Sequence, residues 1–319
     1  MISETLAPEA PVHEGYRSGK YAQAMDFMGT PHFLCHAGGW LMERPINNTP
    51  YCDLTHAYPL FDVDNWSALN REWAALDHEK TVSVTVVCDP FASVPIDTLY
   101  QIFPDRHQPF KMHYFAALDK EPAQFVSSGH RYKIRRALRD VRVRIEENKE
   151  LFWEEWCALY ASLIEKHGIQ GVARFTPDSF KAQLTLPDMH LIRAVRGGET
   201  VAMHLWIEKG DRVYYHLGAS TDAGYKVRAS YAVMWEALHY FRSKGSRLAV
   251  LGGVAGLREN PRDGLARYKR GFATGKLPSM LCGKIINRGL YDRLSKENGV
   301  GESAYFPKYR FRATGEHSE

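Results

Sequence analysis

The chain has 319 residues, 45% hydrophobic and 24% charged, with a formal charge of +4. Such a composition describes a folded protein long enough for two cores and argues against disorder away from the ends, while so small a net charge does not by itself point to nucleic acid. No run approaches the roughly 18 apolar residues of a membrane span, and the acidic stretch Met1–Ala10 lacks the charged and apolar regions of a secretion leader, so a cytoplasmic protein without a membrane span is expected.

The first thirty residues read as a loose arm with one helix around Ala22–Phe27. His32–His36 and Trp40–Arg44 then flank a glycine turn and predict a hairpin, and Tyr51–Thr55 a further strand. Asp64 is expected to cap a helix whose apolar positions Trp66, Leu69, Trp73 and Leu76 recur at helical spacing. The β-branched run Thr81–Val87 and then Phe110–Phe115 predict strands.

Next, Ser127 or Ser128 caps a short basic helix, His130–Arg139, with Ile134 and Leu138 on its inner face. Arg131, Lys133, Arg135, Arg136 and Arg139 leave few directions on it without positive charge. That suits a phosphorylated acceptor, a nucleotide-linked sugar or RNA; a solvated helix balanced by Glu146, Glu147 and Glu150 is the plainer alternative. Arg142–Glu146 alternates as a half-buried strand, Phe152–Leu163 predicts a helix closed by Gly168, and Thr176-Pro177 starts another. His190–Arg196 and Thr200–Ile207 form a second glycine-turned hairpin.

Arg212 to Gly275 then reads as a strand at Val213–Leu217, a loop at Gly218–Arg228, a helix at Ala229–Ser243, a strand at Arg247–Leu251, and a basic segment at Gly264–Phe272. In the loop, Gly218 and Gly224 supply backbone freedom, and Ser220, Thr221 and Ser230 supply donors and caps. Lys226 and Arg228 place charge just before a helix N-terminus, where free N–H groups favour an anion. The stretch is expected to face phosphate.

Hairpin, strand, helix, strand thus occurs twice, with helix starts near Asp64 and Ala229. Two similar α/β domains in tandem follow, residues 1–126 and 127–319. Five cysteines, without a CxxC pair, predict buried free thiols in a reducing compartment. The pairs His32/His36 and His204/His216 lack a third ligand, so no zinc site is expected. Gly252–Gly256 lacks the lysine and hydroxyl of a phosphate-binding P-loop. No G-x-S-x-G elbow of a serine hydrolase occurs.

Four stretches together resemble the FemAB and BioF-two-like branch of the GNAT acyltransferases: Ser127–Arg136, Tyr214–Ser220, Ala229–Trp235 with Gly245 after the helix, and Tyr268-Lys-Arg-Gly-Phe272. The resemblance covers about 130 to 290 and the first half only in outline, through Phe110-Lys-Met-His-Tyr114. It implies an α/β chain of two tandem GNAT-like domains, mixed sheets flanked by helices, with the site between them. The implied reaction moves an acyl or aminoacyl group to an amine of a small-molecule or nucleotide-sugar-type acceptor, without a metal.

The donor it implies is acyl-CoA or a related thioester, or else charged tRNA. The thioester is slightly favoured, because net charge is low and no helical-hairpin insertion for gripping tRNA is visible. Gly224–Ala229 departs, however, from the usual acetyl-CoA loop. The resemblance makes Lys269 an electrostatic stabiliser of the donor carbonyl or phosphate and leaves Tyr215 or His216 as acid or base, since only one of two consecutive strand residues faces a cleft. Gly218, Ser220, Lys226, Arg228 and Ser230 would hold the donor, and Arg131, Lys133, Arg136 and Tyr268 the substrate. A ligand-binding relative without turnover is the alternative from another class.

Overall fold

The computed structural model describes residues 14–254, 263–299 and 303–311. The readings made on Met1–Ala10, and on Ala255 and Gly256 of the glycine-rich run, lie outside them. The first half runs α1 (Gly19–Ala24), β1 (Thr30–Leu34), β2 (Gly39–Pro45), β3 (Cys52–Thr55), α2 (Leu69–Ala75), β4 (Thr81–Cys88), α3 (Ile96–Ile102), β5 (Arg106–Ala117) and α4 (Pro122–Phe125). The second runs α5 (Ser128–Asp140), β6 (Arg142–Glu146), α6 (Trp153–His167), α7 (Pro177–Leu184), β7 (Met189–Arg196), β8 (Glu199–Lys209) and β9 (Arg212–Ser220). It continues through α8 (Asp222–Val227), α9 (Ala229–Ser243), β10 (Leu248–Gly252), α10 (Gly264–Phe272), β11 (Gly275–Ile285) and α11 (Arg288–Glu297).

The expected repeat is present, and both copies share one mixed sheet of 11 strands in the order β1-β2-β3-β4-β11-β5-β10-β9-β8-β7-β6. That order contains an exchange. β5 closes the first half in sequence but pairs antiparallel with β10 of the second, and β11 closes the second half but pairs antiparallel with β4 of the first. The two exchanged strands pair with each other at the centre. Hence the sheet runs unbroken across the boundary expected at 126/127, and residues of β5 reach the second half's interior.

Local chemistry explains most elements. Ser127 accepts from His130 N to start α5, and Thr176 accepts from Ser179 N ahead of Pro177 to start α7. α6 ends at Gly168 in the left-handed region, φ 59°. On one face of the second half, α5, α9 and α10 bury Ile134, Val233, Phe241 and Phe272 against β8 and β10. On the other, α1, α6 and α7 bury Tyr21, Trp156 and Phe180.

Several expectations are corrected. Asp64 pairs with Arg17 instead of capping, and the helix region opens at Trp66 as a 3-10 turn without a side-chain cap. The loop expected over Gly218–Arg228 is the end of β9 followed by α8, whose start Thr221 caps by accepting from Gly224 N. The basic segment at Gly264–Phe272 is a helix. Cys52, Cys88 and Cys282 are buried as free thiols, but Cys35 is exposed and Cys157 half-buried. α3, β11 and α11 have no counterpart in the sequence reading.

Candidate active site

β9 and β10 pair in parallel through Leu248–Arg212, Ala249–Val213 and Val250–Tyr214, and then part although both strands continue. Both bulge where they diverge. On β9 the register with β8 shifts between Leu205–Leu217 and Trp206–Tyr215, making His216 the extra residue, and on β10 it shifts against β5 between Val250 and Gly252. A bulge bends its strand and re-aims side chains. Gly252 takes φ 78°, which favours glycine. The two strands thus diverge in a wedge beyond Tyr214 and Val250, and among the described residues the backbone groups on either side of this opening have no ladder partner across it.

Lys269 stands at this opening. α10 carries it inward among Ala266, Tyr268 and Phe272, leaving 7% of it exposed, and its Nζ donates to Gly253 O. A Cβ on Gly252 would lie 3.3 Å from that Nζ and 3.9 Å from Tyr215 O, so the absence of a side chain keeps the passage from lysine to β9 open. Burial lowers the ammonium pKa to about 7, with Lys111 pushing the same way and Asp263 opposing. Near neutral pH this amine therefore exists in both protonation states.

Tyr215 faces the same side, its ring 5.7 Å from Lys269 Nζ and 4.8 Å from the His204 ring. Gly218 makes room for it, since a Cβ there would sit 1.9 Å from the Tyr215 hydroxyl. A Cβ on Gly224 would meet Val201 O at 2.0 Å. Close approach, not positive φ, explains both glycines. His216 points to the opposite face, 3.2 Å from Tyr16 Oη and 3.0 Å from Gln183 Oε1, and burial holds its pKa down to about 3. Of the two residues, Tyr215 is thus the one beside Lys269.

The other expected residues divide similarly. Ser220 and Ser230 share a 2.8 Å hydrogen bond, and Tyr268 Oη donates to Ser230 O at 2.8 Å, so these three form one support beneath the start of α9. Lys133 Nζ donates to Tyr231 Oη at 3.2 Å in the first turn of α9. Lys226 and Arg228 are exposed; Arg228, at φ 60°, precedes an α9 N-terminus that has no side-chain cap. Arg131 instead donates to Ala123 O and Val126 O at the end of α4, and Arg136 stays at the surface against Tyr132. Glu146 pairs with Arg193 and Glu150 with Lys149, so neither balances α5.

Two histidines complete the site. His130 Nε2 lies 3.1 Å from Tyr268 O, and Gly271 has no room for a Cβ against the His130 ring, which locks α5 to α10. His113 of β5 is buried beside the opening, where a Cβ on Gly253 would lie 3.6 Å from its Nε2. Its Nδ1 is buried without a hydrogen-bond partner among the described residues. Burial, helped by Lys269 and Lys111, keeps its pKa near 3, so it is neutral. The available signal was Lys111 and His113 two apart on one strand, but the exchange that brings them here was not visible.

Residues 124–270 match the family of acetyltransferase (GNAT) domains. Among solved structures, FemX superposes with a TM-score of 0.66 at 15% identity, covering 89% of this chain and 95% of that one. The C-terminal domain of a lysylphosphatidylglycerol synthetase candidate from Agrobacterium fabrum gives 0.59 at 12%, covering 88% and 91%. L-PGS from Bacillus licheniformis gives 0.55 at 12%, covering 84% and 92%. At such identities the likeness is one of fold, and it spans both halves. No curated protein matches the sequence.

Proposed function

We propose that this chain, a FemAB-like acyltransferase of the GNAT fold, moves an aminoacyl group from an aminoacyl ester, charged tRNA, to the amine of a small or nucleotide-linked acceptor. The observation that carries the reading is the buried Lys269 amine, poised near neutrality at the opening between β9 and β10. Attack on a carbonyl needs a neutral amine and a proton source for the leaving group. In its neutral form Lys269 accepts a proton from the incoming amine as the C–N bond forms. As the C–O bond breaks it returns that proton to the departing oxygen. Backbone N–H groups at the wedge and the Tyr215 hydroxyl are the donors available to the tetrahedral oxyanion.

His113, neutral and with its Nδ1 unpartnered among the described residues, positions the acceptor from the first half's side. For the donor, Arg135, Arg136 and Arg139 on the exposed face of α5 have no acidic partner among the described residues and suit a phosphate backbone. The fold shared with FemX over most of both chains supports the same choice, which departs from the thioester slightly favoured on sequence. An acyl thioester is the second reading. It is favoured by the uncapped α9 N-terminus beside Arg228 and Lys226, an arrangement suited to phosphate.

The test sets charged against uncharged tRNA in filter retention, with coenzyme A titrated by calorimetry. Preferential retention of charged tRNA, weakened by Arg135→Ala/Arg139→Ala, supports the ester donor. Saturable coenzyme A binding lost in Lys226→Ala/Arg228→Ala supports the thioester. Silence from both overturns the acyl-transfer assignment of this site.

A further inference from the structure

A cavity of about 450 Å³ opens at the other end of the central strands, between the end of β11, α11 and the segment from Ser303 to Lys308. Among the described residues its charged lining is Asp105, Arg106, Arg288, Asp292, Lys296 and Lys308, four cations against two acids. Asp105 is already committed, since its carboxylate accepts from Ile285 N at 2.8 Å and pairs with Arg288. Among the described lining residues, that leaves Arg106, Lys296 and Lys308 facing one further carboxylate, that of the exposed Asp292.

Arg106 is only half used. One Nη donates to Ala304 O at 2.5 Å, while its Nε is buried with no hydrogen-bond partner among the described residues. A buried guanidinium N–H without an acceptor is unfavourable, and it leaves the charge of Arg106 only partly compensated within the fold. Lys296 and Lys308 likewise make no ion pair among the described residues. Two ammonium groups and an incompletely paired guanidinium around one cavity exceed what a carboxylate needs, and match a phosphoryl group with its greater charge and three acceptor oxygens.

We propose that this cavity binds a small phosphorylated anion, at a site separate from the acyl-transfer opening. Arg106 and His113 lie seven residues apart on β5, roughly 23 Å along the strand. The two sites thus share a strand without sharing a ligand group.

Calorimetry of the full-length protein with inorganic pyrophosphate at low ionic strength tests this. Wild type is expected to bind one equivalent saturably at this site. The Lys296→Ala/Lys308→Ala double variant should weaken that event at least tenfold, and Lys226→Ala/Arg228→Ala should leave it unchanged. Lys296 is exposed and Lys308 half-buried, and circular dichroism verifies that the variant is folded. A second substitution, Arg106→Gln, should weaken the same event. Binding retained in the Lys296/Lys308 variant, binding lost instead in the Lys226/Arg228 variant, or the absence of any saturable event each overturns the proposal.

Discussion

The two halves have the same order of elements and end their parallel strand pairs differently. In the second half β9 and β10 separate after Tyr214 and Val250, and Lys269 of α10 occupies the mouth of the gap. In the first half β3 and β4 pair as far as Thr55–Thr85, and after a short excursion the chain returns to zip the ladder further: Phe61 bridges to Cys88, its N–H donating to Val87 O at 2.7 Å while its carbonyl accepts from Asp89 N at 2.9 Å. Phe61 is 2% exposed and packs with Trp66, Leu99 and Phe103. The helix following that strand, α3, buries Leu99 and Ile102 where its counterpart α10 buries a lysine. One copy of the repeat has thus closed its wedge with apolar packing, while the other has kept a polar opening. A repeated fold need not mean a repeated site, and here the first half serves the second by lending it β5.

The sharpest way to separate the halves is to remove the lysine that only one of them has. Lys269→Met should lower transfer by about 10³-fold, the range of a lost acid–base group, in single-turnover assays. Its effect on stability has the opposite sign. Because the folded pKa of Lys269 is depressed, the unfolded chain binds more protons between pH 7 and the unperturbed lysine value of 10.5. Stability therefore rises with pH across that window, and the cost of burying the charge is fully present below it. The variant is expected to melt no lower than wild type at pH 7, and unaltered transfer would remove the distinction between the halves.

Phe61→Ala tests the other side. It should cost about 3–5 kcal/mol in denaturant unfolding as a fully buried aromatic, with Lys269-dependent transfer persisting in the folded fraction; a loss of less than about 1 kcal/mol would mean the first wedge is not held shut by packing. Gly218→Ala should displace the Tyr215 ring and reduce transfer about tenfold, at a stability cost of about 1–3 kcal/mol from overpacking. The smallest effect belongs to Arg228→Gly, which relieves the left-handed backbone at φ 60° and should stabilise the fold by about 1 kcal/mol, while under the thioester reading it also weakens coenzyme A binding. Coenzyme A bound with unchanged affinity in that variant would take Arg228 out of the site.

What the sequence revealed follows from range. Hairpins at Gly38-Gly39 and Gly197-Gly198, the Ser127 and Thr176 caps and the Gly168 stop are local, and all are found in the structure. The exchange of β5 and β11 depends on pairing between distant segments, which no local pattern encodes. β11 also hides itself, since Pro278 interrupts its pattern where the register with β5 shifts. Alternation correctly divided Tyr215 from His216, but choosing between them required knowing which face α10 covers. α8 was hidden by Gly224, a glycine serving close packing against Val201 where a turn was expected. Lys269 was legible only through its resemblance to a family segment, and its lowered pKa only through the burial that the folded chain imposes.

That lysine is the place to test the account. The rate of transfer in a single turnover should be followed against pH for wild type and for Lys269→Arg, a substitution that keeps positive charge but cannot give up its proton at these pH values. Proton transfer by Lys269 predicts a rise in wild type with an inflection near pH 7 and a rate in the arginine variant that is lower by orders of magnitude and without that inflection. Near-normal transfer by the arginine variant, or a wild-type profile without the inflection, would contradict it and leave Lys269 as a fixed charge.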